Sequence, residues 1–175
     1  MHHWRNVHYP QETGGVFLSE HSGSSLPDDS QMSRVDRYLI ANREHLFDYL
    51  CTLIAFPTVN PPGRNCQAAQ EWVAQQLHRF GLSVDMWEVY PGDPNVVGVL
   101  KGRENGCSLL LNGHIDVASV DANAWPSPPF APRREAGRIF GRGAADMKGG
   151  LASILYMLEA FQACGVVLQG DLLVE

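Results

Sequence analysis

The chain has 175 residues, 45% hydrophobic and 18% charged, apolar enough to build a core and too apolar for a disordered protein. Its 17 glycines and 11 prolines make 28 of the 175 residues, which excludes collagen-like and low-complexity classes, and the length suits one domain with a tail. Asp and Glu number 19 against 13 Lys and Arg, a net charge of −6, so no excess of cations is available for a phosphate backbone and no nucleic-acid partner is expected.

In chain order, residues 1–32 mix Gly, Ser, Pro, Asp and His without a sustained period, as in Glu20-His21-Ser22-Gly23-Ser24-Ser25. They cannot bury enough surface to offset the entropy of ordering, and a disordered N-terminal extension is expected. Met1-His2-His3-Trp4-Arg5 leads into no apolar run of signal-peptide length, and no run approaches the ~18 apolar residues that cross a bilayer. This predicts a soluble, cytoplasmic protein with no membrane partner. The scattered His2, His3, His8 and His21 are not expected to be ligands.

Order is expected from Ser33, where Ser33-x-x-Asp36 has the form of a capping box. Val35, Tyr38, Leu39, Leu46, Tyr49, Leu50 and Leu53 then recur at helical spacing, which predicts one amphipathic helix over 34–55. Phe56-Pro57 ends it, and Asn60-Pro61-Pro62-Gly63 makes a rigid turn. A second helix over 66–80 places Ala69, Trp72, Val73, Leu77 and Phe80 on one side and stops at Gly81. The period then changes to two: Leu82 to Val89 alternates like a half-exposed strand, whereas 96–100 and 108–111 are short apolar runs that suit inner strands covered on both faces. A proline-rich loop at 125–130, a short strand at 138–140, a glycine-rich turn, a buried helix over 149–164 and a last inner strand at 172–174 complete the pattern. The four cysteines, Cys51, Cys66, Cys107 and Cys164, form no C-x-x-C pair and read as reduced core thiols. Helices alternating with buried strands predict an α/β domain of three α/β/α layers, with its chemistry at the carboxyl ends of the strands, just after residues 111, 141 and 174.

Two clusters lie at those ends. In Asn112-Gly113-His114-Ile115-Asp116 a histidine and a carboxylate stand two apart, and extended residues i and i+2 point the same way. Imidazole is a ligand for zinc or cobalt, and a neighbouring carboxylate can orient it; a structural histidine paired with a local acid is equally compatible with the pair alone. The second cluster is Gly141-Arg142-Gly143-Ala144-Ala145-Asp146-Met147-Lys148-Gly149-Gly150. Its glycines free the backbone for tight turning, and Asp146 arrives just before a helix, as a site carboxylate or as an N-terminal cap. Neither G-x-x-x-x-G-K-[ST] nor G-x-G-x-x-G is present, so the loop is not a phosphate cradle.

Taken together, Asn112 to Val117, then Trp125 with Pro129-Phe130, then Gly141 to Gly150, with the Pro57-Thr58-Val59-Asn60-Pro61 turn, resemble in order and spacing the metal-dependent amidohydrolase family of acetylornithine deacetylase, succinyl-diaminopimelate desuccinylase, aminoacylase and glutamate carboxypeptidase. The resemblance covers roughly residues 35–175. It implies a zinc-peptidase-like fold, incomplete at the C-terminus, with residues 33–175 forming the N-terminal part of the catalytic domain and the lid or dimerisation domain absent. It implies two divalent ions, zinc or cobalt, with His114 binding one, Asp146 bridging both, and Asp116 assisting catalysis from beside His114. The reaction implied is hydrolysis of the amide of a small N-acylated substrate by an activated water, in a full-length form that is a homodimer.

The resemblance also calls for an adjacent Glu-Glu pair thirty or more positions beyond the bridging aspartate. No such pair is in the sequence, and Glu175 stands 29 positions after Asp146. With two of five implied ligands, the chain by itself is expected to be inactive. The competing expectation is a non-catalytic truncated remnant or one piece of a split protein.

Overall fold

A computed structural model describes residues 30–61, 63, 65–103 and 106–175. Four helices and six strands are found there: α1 (Gln31–Ala41), α2 (Arg43–Ala55), α3 (Gln67–Arg79), β1 (Ser83–Tyr90), β2 (Asp93–Leu100), β3 (Leu109–Leu111), β4 (Arg133–Glu135), β5 (Arg138–Phe140), α4 (Gly149–Ala163) and β6 (Leu172–Val174). Residues 1–29 of the expected extension, with His2, His3, His8 and His21, lie outside the described residues.

Helix α1 begins earlier than the sequence pattern suggests. Ser30, not Ser33, is the N-cap, its Oγ accepting from the Ser33 N–H at 3.1 Å, so residues 30–32 belong to the helix and its cap. The helix expected over 34–55 is broken at Asn42, whose Nδ2 donates to the Tyr38 carbonyl at 2.9 Å. Its backbone N–H bonds the same carbonyl at 2.9 Å, so Asn42 is the C-cap of α1, at φ −113° and ψ 23°, and α2 restarts at Arg43.

The main sheet runs in the order β1-β2-β6-β3, with β1-β2 and β2-β6 antiparallel and β3-β6 parallel. Register places Val96, Gly98, Leu100, Leu172 and Val174 on one face. Tyr49 and Leu53 of α2, Ala69 and Leu77 of α3, and Ala152, Leu155 and Leu158 of α4 pack onto that face as one core, with Tyr38 and Leu39 of α1 against it. The α/β class and the inner positions of β2 and β6 are as expected. Strand β3 is the exception: among the described residues it pairs only with β6, and Leu109 and Leu110 are more than half exposed. An edge position, rather than a sandwiched one, follows from that pairing. The helices gather on one face of the sheet, and Val97, Val99 and Leu173 on the other are half-buried. Only Cys66 is a core thiol, and Cys107 is exposed.

Strands β4 and β5 form a separate hairpin that the pattern reveals only in its second half. Its two-residue turn, Ala136-Gly137, has φ of 49° and 74°, the doubly positive geometry that matches strand twist. The X-Gly pair between alternating residues was the signal for it.

One buried acid staples three helices. Glu159 of α4 accepts hydrogen bonds from the Tyr38 hydroxyl (2.6 Å), His45 Nδ1 (2.6 Å) and the Tyr49 hydroxyl. Burial pushes its carboxyl up, but these three bonds outweigh burial and hold it below the ordinary glutamate value; the same contact, after burial, pushes Tyr38 up to about 12. A carboxyl held low in the fold stabilises it fully above the ordinary glutamate value of about 4.5, and that stabilisation is lost as pH falls through the lowered value. Thermal melts should therefore show stability dropping below pH 4.5 in the native sequence, with a shallower drop in Glu159→Gln and a lower melting temperature for that variant at pH 7.

Candidate metal centre

Two strands end at the site. Beyond β3 the chain continues through Asn112 and Gly113, whose N–H bonds to Glu175 O, to His114, and beyond β5 it turns at Gly141-Arg142-Gly143 to reach Asp146. Three sets of bonds hold these segments. Thr58 donates from Oγ1 to the Ile115 carbonyl at 2.6 Å. Val59 bridges Val117, through Val117 N–H to Thr58 O at 2.8 Å and Asn60 N–H to Val117 O at 3.0 Å. Arg142 donates from Nε to the Ala118 carbonyl at 2.9 Å and from its N–H to Pro129 O at 2.7 Å.

The wide turn Ala144–Lys148 carries Asp146 in extended geometry, φ −130° and ψ 101°, and Met147 beside it is non-helical as well, φ −126° and ψ 31°. Gly143, at φ 81°, is what permits the turn. A Cβ there would stand 2.5 Å from Val117 Cγ1, in a conformation that L side chains rarely adopt. The capping alternative for Asp146 does not hold: Lys148 occupies the N-cap of α4, and the Asp146 side chain is 89% exposed.

The three residues singled out from sequence come together. His114 Nε2 lies 3.0 Å from Asp146 Oδ1, and His114 Nδ1 lies 3.2 Å from Asp116 Oδ1 and 3.1 Å from Asp116 O. Glu175 joins the same end of the sheet through its backbone, giving its carbonyl to Gly113 N–H at 2.8 Å and its N–H to Leu111 O at 2.9 Å. A cleft of about 420 Å³ opens over the pair, walled by Asn60, Trp125, Arg142 and Ala145 as well. Sequence reasoning did not single out Asn60, Thr58 or Lys148 as parts of this arrangement. Lys148 is wholly buried, its Nζ donating to Leu53 O (2.8 Å) and Phe56 O (2.7 Å), and burial pulls its pKa down to about 8.

The donor chemistry fits a divalent cation. His114 Nε2 donates to Asp146 Oδ1 when it carries the ring proton; with the proton on Nδ1, facing Asp116, its lone pair would point at the carboxylate, an arrangement that a shared cation would join. Two ligands about 2.0–2.1 Å from a tetrahedral ion stand about 3.3 Å apart, close to the 3.0 Å seen here. Asp116, on the far ring nitrogen, occupies the place of a carboxylate that fixes the tautomer of a ligand. Among the described residues no group of three or more His, Cys, Asp or Glu side chains gathers around one point.

The model of peptidase family M20/M25/M40 matches residues 110–174, the stretch from β3 through both clusters to β6. Over 137 residues the chain is 49% identical to an N-formyl-4-amino-5-aminomethyl-2-methylpyrimidine deformylase of Halalkalibacterium halodurans, covering 77% of the chain. The chain belongs to this metallopeptidase and amidohydrolase family. A succinyl-diaminopimelate desuccinylase of Xylella fastidiosa is 37% identical over 117 residues, 66% of the M20 chain. The crystal structure of human carnosine dipeptidase 1 superposes with a TM-score of 0.75 at 20% identity, over 85% of this chain and 34% of that one, which supports the fold. The M20 chain spans about a third of the length of the curated relatives it matches, 32% and 29%. Membership implies a divalent metal cofactor. No helix among the described residues is long and apolar enough to cross a membrane.

The backbone of the Asp146 turn gives a direct check. Gly143→Ala should cost about 1–3 kcal/mol in chemical denaturation, since it forces a side chain into a positive φ and against Val117. Gly150→Ala, whose new Cβ would meet only the flexible Met147 Cε at 3.3 Å in α4, should leave stability unchanged or raise it by up to about 1 kcal/mol. Equal losses in both would contradict the turn geometry.

Proposed function

We propose that this chain supplies His114 and Asp146 as ligands to a pair of divalent ions, zinc or cobalt, and Asp116 as the acid beside them, in an enzyme that hydrolyses the amide of a small N-acylated amine. The observation that carries the reading is the 3.0 Å approach of His114 Nε2 to Asp146 Oδ1 with Asp116 on the opposite ring nitrogen. When bound, the ions would supply the positive charge that makes water acidic and polarises an acyl oxygen. Asp116 keeps the His114 proton on Nδ1 and so leaves Nε2 free to ligate. A carboxylate at 146 can span two ions because it has two oxygens and a full charge, which asparagine lacks.

The likeness to a deformylase at 49% identity supports an N-formyl group on an aminomethylpyrimidine as the first substrate to test, ahead of succinylated or acetylated amino acids. Trp125 and Asn60 line the cleft, and an indole beside a hydrogen-bonding amide suits a flat heteroaromatic ring. We further propose that the 175 residues alone do not turn over substrate, because the two ligands brought together leave a metal pair under-coordinated.

The test is a chimera in which residues 33–175 replace the matching third of the Halalkalibacterium deformylase. It should release formate from the formylpyrimidine in a chelator-sensitive manner. His114→Ala and Asp146→Ala should each lower kcat/KM by at least about a thousandfold with circular dichroism unchanged, and Asp116→Asn should lower kcat far more than metal content. A folded but inert chimera would favour the non-catalytic remnant instead.

A further inference from the structure

Lys148 is the largest fully buried side chain among the described residues, at 0% exposure. Its ammonium meets two backbone carbonyls, Leu53 O and Phe56 O, and among the described residues no carboxylate lies within ion-pair distance of it. Burying a cation without an anion costs several kcal/mol before hydrogen bonds are counted. Part of that cost is offset because the two carbonyls end α2, where the helix dipole favours positive charge, although each also accepts a backbone N–H, Leu53 O from Phe56 and Phe56 O from Thr58. A methionine has nearly the same length and would fill the space without desolvating a charge. Stability alone therefore does not account for an ammonium at this point, and what the ammonium adds is direction.

Its two bonds join the segments of the site. On one side, Lys148 stands two residues after Asp146, its N–H bonded to Gly143 O at 3.0 Å and its stem packed where a Gly143 Cβ would lie. On the other, Phe56 leads within two residues to Thr58, whose hydroxyl holds Ile115 O and whose carbonyl holds Val117 N–H, on either side of Asp116 and next to His114. The route from Asp146 to His114 thus runs along the chain to Lys148, across hydrogen bonds of 2.7–2.8 Å to the end of α2, along the chain to Thr58, and across one of 2.6 Å to Ile115, next to His114.

We propose that Lys148 is a positioning residue: its paired bonds to the end of α2 fix the turn carrying Asp146 against the segment carrying His114. The consequence for cation binding rests on the metal reading given above; the positioning itself does not.

Lys148→Met, Thr58→Val and the double variant, made in the 175-residue chain, test it. Without metal, amide exchange at Ala144 and Lys148, whose N–H groups bond to Gly141 O and Gly143 O, should quicken at least tenfold in each single variant. The double variant should exchange no faster than the faster single, because both cut one route. Amides of α4 beyond Leu155 and of β6 should be unchanged. Zinc titrated into the wild type should shift the His114 ring resonances in NMR spectra, with apparent affinity at least tenfold weaker in both singles. Unchanged exchange at Ala144 and Lys148, additive effects, or a rise spread evenly over α4 and β6 would overturn the proposal. If Lys148→Met does not fold, Thr58→Val decides alone, a local rise supporting the proposal and a uniform or absent one overturning it. Local, non-additive exchange without any zinc response in the wild type would support the positioning, and metal content of the chimera would then decide the metal reading.

Discussion

The structure turns on one close approach, that of an imidazole nitrogen and a carboxylate oxygen from segments 32 residues apart in sequence. With its proton on Nε2 the imidazole donates a hydrogen bond to the carboxylate; with the proton on Nδ1 the same two atoms would face a shared cation. The elements around the pair hold the two segments at that distance. The parallel pairing of β3 with β6 directs one segment to the carboxyl end of the sheet, and the hairpin β4-β5 delivers the other through a turn that only glycine at 143 accommodates. The Val59–Val117 bridge closes the floor between them. The site is therefore a property of strand ends and turns, while the helical layer supplies rigidity from beneath.

That layer is itself pinned by two buried charges on or beside α4. At its start, the Lys148 ammonium grips the last carbonyls of α2; eleven residues on, the Glu159 carboxylate collects hydroxyl and imidazole donors from α1 and α2. Both charges are satisfied by hydrogen bonds rather than by each other. Apolar packing between α2 and α4 would tolerate sliding by part of a turn, whereas a carboxylate with three fixed donors and an ammonium with two fixed acceptors do not. The register of α2 on α4 sets where Phe56 to Asn60 leave the helix, and that exit sets the wall beside His114.

Much of this was legible in the residues. The change from helical to alternating period at Gly81, the continuous apolar runs of β2 and β6, and the two polar clusters at strand ends are local signals, and the site geometry draws on them directly. What escaped was of two kinds. The break at Asn42 is local, at a residue whose side chain bonds four residues back, which hydrophobic periodicity does not register. The exposure of Leu109 and Leu110 comes from an edge position, which a three-residue apolar run does not reveal. The sequence assigns Lys148 no role, because only the folded path of α2 places carbonyls above it. The capping alternative for Asp146 was reasonable for a residue just before a helix, and it failed because the turn is one residue pair longer than a simple cap.

Crystals of the chain grown or soaked with zinc, measured at the zinc absorption edge, test the central claim most directly. The account predicts an anomalous peak within about 2.2 Å of both His114 Nε2 and a carboxylate oxygen of Asp146, with Asp116 remaining on Nδ1. A peak coordinated elsewhere, at the Cys66 thiol for example, or density showing the His114 ring and the Asp146 carboxylate turned away from each other with zinc present, would contradict it.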